Sequence, residues 1–290
     1  MTQPQSRALS LSALTVLELN PPQMVQCAVD AGYDYVGLRL LPATDTEVRH
    51  AIVGDTPLRR ETLAVLRDTG MRVLDVEIAR LKADTDVTDY LPMLETAAEL
   101  GARYVLVAGN DPDEARTVER LGRLCDLAAP LGLSPSLEPM PWTDVKDLDI
   151  GARIVDACGR RNTGLIVDPI HFDRAGSSLD TLSALPRHYF GYVQFCDAPA
   201  ERPTDVDTLL FQARCARLMP GDGGLDLTGI LRALPAHLPV SVEVPNQQWA
   251  NTTPAVARAR RLREATRAVI DAAAGPERAA ATTGRASPAA

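Results

Sequence analysis

The chain has 290 residues, 46% of them hydrophobic, and a formal net charge of −8 from 38 acidic and 30 basic residues. That length suits one α/β barrel or two small domains. The apolar fraction excludes a disordered body, and the acidic balance lacks the electrostatic footprint of a nucleic-acid binder. The five cysteines, Cys27, Cys125, Cys158, Cys196 and Cys215, are odd in number and widely spaced, with no CxxC pair. Reduced core thiols are expected, not a disulfide framework or a thiolate zinc site. Met1 to Arg7 is polar, with no apolar signal region, and no apolar run approaches the length of a membrane span. The expectation is a soluble cytoplasmic protein with neither membrane nor nucleic-acid partners; the sequence leaves room for a homo-oligomer.

In chain order, short β-rich runs alternate with longer amphipathic ones. Strands are predicted near Leu9–Thr15, Tyr35–Leu40, Arg72–Ile78, Tyr104–Ala108, Ser134–Glu138, Gly164–Asp168, Tyr189–Phe195 and Pro239–Val244. Between them lie helical patterns such as Pro22–Ala31, Arg59–Thr69, Leu91–Leu100, Asp113–Ala128 and Ile150–Gly159, and a last helix near Pro254–Ala273. Gly32, Gly70, Gly101 and Gly132 each stand just after a helical run, as C-terminal capping prefers.

Strands alternating with helices imply parallel pairing through right-handed crossovers. Eight such units predict a single (β/α)8 barrel over residues 1–273, with a disordered Ala-, Thr- and Pro-rich tail over 274–290. An open doubly wound sheet would normally carry a glycine-rich phosphate turn after the first strand; here that turn is Glu18-Leu19-Asn20-Pro21-Pro22. The longest loop, Asp197–Gly224, has the length of a lid or binding loop.

Active sites of such barrels lie at the C-terminal ends of the strands, so the polar residues that end strands are the candidates. Strand five ends Leu137-Glu138-Pro139-Met140-Pro141-Trp142, and strand six ends Val167-Asp168-Pro169-Ile170-His171-Phe172. Strand seven ends Val193-Gln194-Phe195-Cys196-Asp197, and strand eight ends Val242-Glu243-Val244-Pro245. Three carboxylates and an amide converging on one mouth repel and desolvate one another without a cation. The predicted metal ligands are therefore Glu138, Asp168, Gln194 and Glu243. Their all-oxygen donor set favours Mn2+, with Mg2+ or Co2+ as alternatives, over Zn2+.

These pieces resemble the sugar phosphate isomerase/epimerase family, the xylose isomerase-like barrels. Leu-Glu-Pro-Met-Pro-Trp, Val-Asp-Pro-Ile-His-Phe, Val-Gln-Phe-Cys-Asp-Ala-Pro, Arg217-x-x-Pro-Gly-Asp-Gly and Val-Glu-Val-Pro carry the resemblance, which spans roughly Leu9 to Ala273. It implies that Glu138 and Glu243 shuttle protons as well as bind metal. Relatives carry either His or Gln where Gln194 stands, so that position does not choose a reaction. Dehydroshikimate dehydratases often have a His shortly after the strand-five Glu, where this chain has Pro139-Met140-Pro141.

Among flanking residues, His171 is expected to face the substrate beside the metal, and Arg217 to grip a carboxylate, phosphate or diol. Trp142 is a candidate pocket wall, as is Phe172, unless it merely packs. Arg39 and Glu77, read as strand ends, and Asn110, after strand four, are pocket-lining candidates. His50, His188 and His237 read as surface or packing histidines.

The expected activity is isomerisation or epimerisation of a sugar or related polyhydroxy ketone, by Glu-mediated proton transfer through a metal-stabilised enediolate. The alternatives are a metal-dependent dehydratase of an inosose- or dehydroshikimate-like keto-polyol, and a non-catalytic ligand-binding barrel. DNA-repair nucleases that share this barrel bind several zinc ions and need many histidines; the chain has four, one of them in a motif.

Overall fold

In the computed structural model, which describes residues 7–275, eight parallel strands close into a barrel in sequence order, with β1 paired to β8. The strands are β1 (Leu9–Leu11), β2 (Tyr35–Arg39), β3 (Arg72–Lys82), β4 (Tyr104–Asn110), β5 (Ser134–Leu137), β6 (Gly164–Val167), β7 (Phe190–Phe195) and β8 (Val240–Val242). The outer helices are α1 (Pro21–Ala31), α2 (Pro57–Thr69), α3 (Leu91–Glu99), α4 (Glu114–Ala128), α5 (Leu148–Cys158), α6 (Pro169–Arg174), α7 (Leu179–Ala184), α8 (Val206–Cys215), α9 (Leu227–Ala233), α10 (Gln247–Thr252) and α11 (Ala255–Ala273). The expected (β/α)8 barrel is the fold.

Local chemistry sets the helix ends. Asn20 and Gln23 form a reciprocal capping box at the start of α1, and Gly32 ends the helix at φ 80°. Gly70 ends α2 at φ 70°. Both are left-handed conformations that cost a glycine little and an L side chain more.

The strands bury both faces, as parallel barrel strands do. Outward residues such as Val36, Val76, Val105 and Val193 pack against the helices. Inward residues Tyr35, Leu74, Ile78, Leu106, Ala108, Ile166 and Tyr192 fill the barrel interior. On β3 the alternation breaks twice. Val36↔Val73 and Leu38↔Val76 leave one extra residue on β3, and Val76↔Val105 with Ala79↔Val107 leave another. These bulges turn adjacent residues to the same side. Asp75 faces Gly37, where an added Cβ would lie 3.0 Å from Asp75 Oδ1.

Several boundaries differ from expectation. β1 stops at Leu11, and Thr15 lies in a short 3-10 turn, Ala13–Val16. Its hydroxyl donates to the Val242 carbonyl (2.8 Å) and accepts from the Val244 N–H (2.9 Å), folding the chain over the barrel rim. β3 runs on to Lys82, so Glu77 sits inside the strand and not at its end, and Asn110 is the last residue of β4. The long loop after β7 contains α8 and is tied down by antiparallel bridges Asp197↔Leu218 and Ala216↔Asn246. All five cysteines are free; four are buried and Cys215 is half-buried. Among the described residues no helix is long and apolar enough to cross a membrane. The expected tail, from residue 276 onward, lies outside the described residues.

Candidate active site

The ladder fixes Glu138 and Glu243, each one residue past its strand. The Glu138 N–H bonds to the Val107 carbonyl and the Glu243 N–H to the Phe195 carbonyl, both at 2.9 Å, so barrel pairing fixes their backbones. Asp168 caps α6: its Oδ1 accepts the Ile170 N–H at 2.9 Å, and Pro169 fills the first helical position. Capping leaves Oδ2 to meet Arg217 Nη1, which lies at 2.5 Å.

Arg217 is 2% exposed and joins the two sides of the site. Its Nε donates to the Ala213 carbonyl (2.7 Å), and its Nη1 also lies 3.1 Å from Glu243 Oε2. Its position is set by Asp197. That buried carboxylate accepts the backbone N–H groups of Gly221 and Gly223 at 3.0 Å, of Leu225 at 3.2 Å and of Ala198 at 2.8 Å. The motif Gln-Phe-Cys-Asp and the later Pro-Gly-Asp-Gly turn are therefore one construction. His171 Nε2 lies 3.7 Å from Glu138 Oε1 and 3.9 Å from Asp168 Oδ2, and its ring meets Trp142 edge-on at 4.8 Å.

A cavity of about 290 Å3 opens above these groups. Glu138, His171, Trp142, Arg217 and Glu243 line it, as do Arg39 and Glu77 from the opposite side. Gln194 does not reach the cavity wall; it is fully buried, and its Nε2 donates to Glu243 Oε1 at 2.9 Å. Asp168 lies behind Arg217 and borders a neighbouring crevice together with Phe172, which also packs on the core. Asn110 does not line the cavity but accepts a 2.9 Å hydrogen bond from Arg80 Nη1. His188 and His237 are exposed and His50 is half-buried, all three away from the mouth.

The electrostatics follow from burial. Desolvation, then the Glu243 and Asp168 charges, push the Glu138 carboxyl well above the usual carboxylate range. Desolvation likewise raises Glu243, to about 7, against the opposing pull of Arg217. Burial would also raise Asp168, but Arg217 and His171 beside it hold it below its ordinary value. Burial lowers His171 to about 4, so the imidazole is neutral at physiological pH.

The donor set fits a cation. The side-chain oxygens Glu138 Oε1 and Gln194 Oε1 are buried with no hydrogen-bond partner, a costly condition unless something else satisfies them. Glu138, Asp168 and His171 each offer a ligand atom within 4.8 Å of the others. Glu138 Oε1 and Gln194 Oε1 are thus unpartnered oxygens that a cation could satisfy, and His171 Nε2, 3.7 Å from Glu138 Oε1, lies close enough to join them.

Several site residues escape the strand-end pattern. Ser12, just past β1, donates to Glu243 Oε1 (2.9 Å) and Glu77 Oε1 (3.3 Å). Glu47 pairs with Arg39 at 3.4 Å, and Arg39 with Glu77 at 2.8 Å. A hydroxyl beside a rim turn and a loop glutamate carry no motif of their own. Arg80 and Arg214 also line the cavity and belong to none of the strand-end motifs.

Residues 25–269 match the protein family described as the xylose isomerase-like TIM barrel. An inosose isomerase of Bacillus velezensis is 25% identical over 249 residues, covering 77% of this chain and 81% of that protein. A 3-dehydroshikimate dehydratase of Pseudomonas aeruginosa is 31% identical over 157 residues, 51% of this chain but 24% of that longer protein. Among solved structures, the IolI protein with a bound zinc atom superimposes with a TM-score of 0.76 at 23% identity, covering 91% of this chain and 98% of that one. The first two are similar enzymes; the third is similar in fold.

Proposed function

Because the chain belongs to the xylose isomerase-like TIM barrel family, an enzyme family in its relatives of assigned activity, we propose that it is a divalent-metal-dependent isomerase or epimerase of a sugar or related polyhydroxy ketone. The observation that carries this reading is the pair of unpartnered buried oxygens, Glu138 Oε1 and Gln194 Oε1, beside Asp168 and Glu243 at one barrel mouth. Glu138, Asp168, Gln194 and Glu243 would hold the ion, and their oxygen donors suit Mn2+ best, with Mg2+ or Co2+ as alternatives. Such an ion would lower the raised carboxyl pKa values and stabilise the negative charge that develops on the substrate oxygens when a neighbouring C–H is deprotonated.

The chain's own residues supply the rest. Glu138 and Glu243 come from nonadjacent strands and both line the cavity, so each can reach a carbon between them. One takes the proton from the carbon beside the carbonyl; return by the other to the opposite face gives the epimer, and return to the neighbouring carbon gives the isomer. Ser12 and Arg217 fix the Glu243 carboxylate through Oε1 and Oε2 respectively. Neutral His171 can donate a hydrogen bond to a substrate oxygen, and Trp142 holds its ring edge-on. Loss of a β-hydroxyl after the same proton abstraction is dehydration, a second reading favoured by the match to the dehydroshikimate dehydratase over half of the chain.

Incubating the Mn2+-loaded protein in D2O with ketoses, inososes and dehydroshikimate tests both readings. Deuterium at the carbon next to a carbonyl is expected for at least one probe, and the product tells isomer, epimer and alkene apart. No exchange with any probe, in protein shown to carry Mn2+, would overturn the proposal.

A further inference from the structure

The two carboxylates proposed to move protons are held very differently. Glu138 Oε1 is buried with no hydrogen-bond partner. Glu243 is held at both oxygens. Its Oε1 accepts from Ser12 Oγ and from Gln194 Nε2, each at 2.9 Å, and its Oε2 lies 3.1 Å from Arg217 Nη1. Ser12 comes from the rim turn after β1 and is engaged on a second side as well: its hydroxyl lies 3.3 Å from Glu77 Oε1 of β3.

A serine hydroxyl has one proton to donate, so Glu77 and Glu243 compete for it. Arg39 biases that competition. Its Nη2 lies 2.8 Å from Glu77 Oε2 and its Nη1 3.4 Å from Glu47 Oε1. An ion pair that satisfies Glu77 leaves the Ser12 proton to the nearer acceptor, Glu243. Ser12, Arg39 and Glu77 are all buried, so the loss of one partner is felt by the next. Glu47 is the outermost member. It stands in the loop between β2 and α2, and its Oε2 accepts the Ala43 N–H at 3.2 Å. Ala43, Thr44 and Glu47 of that loop wall the cavity. Four side chains from four segments thus run without a break from the loop to Glu243.

We propose that the β2–α2 loop positions Glu243: Glu47, Arg39, Glu77 and Ser12 act as one relay, and a ligand that settles against the loop sets the angle of the carboxylate across the cavity. Ser12 is the positioning residue in contact with Glu243, and Glu47 acts on it only through Arg39 and Glu77. The consequence for turnover rests on the proton-transfer role proposed for Glu243; the relay itself does not.

A double-mutant cycle on the full Mn2+-loaded chain tests the relay by melting and by turnover. Among the described residues no hydrogen bond or ion pair joins Glu47 to Ser12 directly, so without a relay their effects add. The combined shift in melting temperature of Ser12→Ala and Glu47→Gln is expected to be smaller than the sum of the single shifts. With whichever probe exchanges deuterium, Ser12→Ala should lower kcat about tenfold or more while keeping KM and Mn2+ stoichiometry, a hydrogen bond to a charged group being worth about that factor. Ser12→Thr retains the hydroxyl and should restore most of the loss. Glu47→Gln should lower kcat on its own and not at all in the Ser12→Ala background. If Ser12→Ala does not fold, Ser12→Cys, a weaker donor of similar size, takes its place. Additive melting shifts would overturn the inference. So would a Glu47→Gln variant with raised KM and unchanged kcat, because Glu47 would then bind substrate without positioning Glu243. Non-additive melting with no deuterium exchange for any probe would keep the relay and remove the proposed chemistry. Exchange with additive melting would keep the chemistry and remove the relay.

Discussion

The two sides of the barrel mouth treat charge in opposite ways. On the β5–β8 side, carboxylates are crowded: Glu138, Asp168 and Glu243 share Arg217 and the neutral His171, and two buried oxygens have no partner. On the β2–β3 side the one ion-paired cation, Arg39, is matched by both Glu77 and Glu47, while Arg80 bonds only the neutral Asn110 side chain. A crowd of carboxylates invites a cation, and a carboxylate already matched to a guanidinium does not.

The sharpest way to break this division is to neutralise its carboxylate side. Glu138→Gln and Glu243→Gln should each lower turnover by about 10²–10⁴-fold at saturating Mn2+, the range typical of general acid–base groups. Steady-state rates with circular dichroism of each variant check this. Less than tenfold loss in both would remove them from proton transfer and leave the β5–β8 side a metal clamp only.

Next in size is His171. If it faces the substrate, His171→Ala should keep Mn2+ and lose on the order of 10²–10³ in kcat/KM, the worth of one hydrogen bond to a charge-developing oxygen. Its Nε2 is close enough to Glu138 and Asp168 to serve as a ligand instead. Weakened Mn2+ affinity, with activity restored by excess Mn2+, would assign it to the metal. A lowered melting temperature with normal turnover would make it structural.

The β5–β8 side was legible in the sequence because each group ends an apolar strand run and is followed by a proline or another motif residue. Leu137-Glu138-Pro139 and Val167-Asp168-Pro169 tell the reader where the strand stops and what faces the mouth. The β2–β3 side was not, because two bulges on β3 break the alternation that sequence reading relies on. Glu77 was found but placed at a strand end; Asp75, Arg80 and the rim residue Ser12 were missed. The helix in the Asp197–Gly224 loop was also missed. Asp205 caps that helix through the Thr208 N–H, and the turn after it is held by Asp197, which collects three distant backbone N–H groups besides that of Ala198, a pattern with no local signature.

Asp75 gives the smallest effect and sharpens the picture of the barrel floor. Both its carboxyl oxygens are buried without partners. Burial, then the Glu77 and Glu243 charges, raise its pKa well above the usual carboxylate value. A raised folded-state pKa means that its contribution is fully present below the unfolded value of about 3.9 and is lost as pH rises through the folded value. Asp75→Asn should therefore flatten the fall in melting temperature as pH rises above the unfolded carboxylate value of about 3.9. A gain of roughly 2–4 °C at the upper end corresponds to about 1 kcal/mol. An unchanged slope would mean that Asp75 is not the group that titrates.

The central claim is that the carboxylate side holds a divalent ion. Elemental analysis with a melting curve taken in chelator, and again in added Mn2+, tests it without any substrate. The account predicts about one ion per chain, a lower melting temperature in chelator and its recovery with Mn2+, since an ion at about a hundred times its Kd stabilises the fold by about 2.7 kcal/mol. Protein that carries no metal and melts at the same temperature in chelator and in Mn2+ would contradict it.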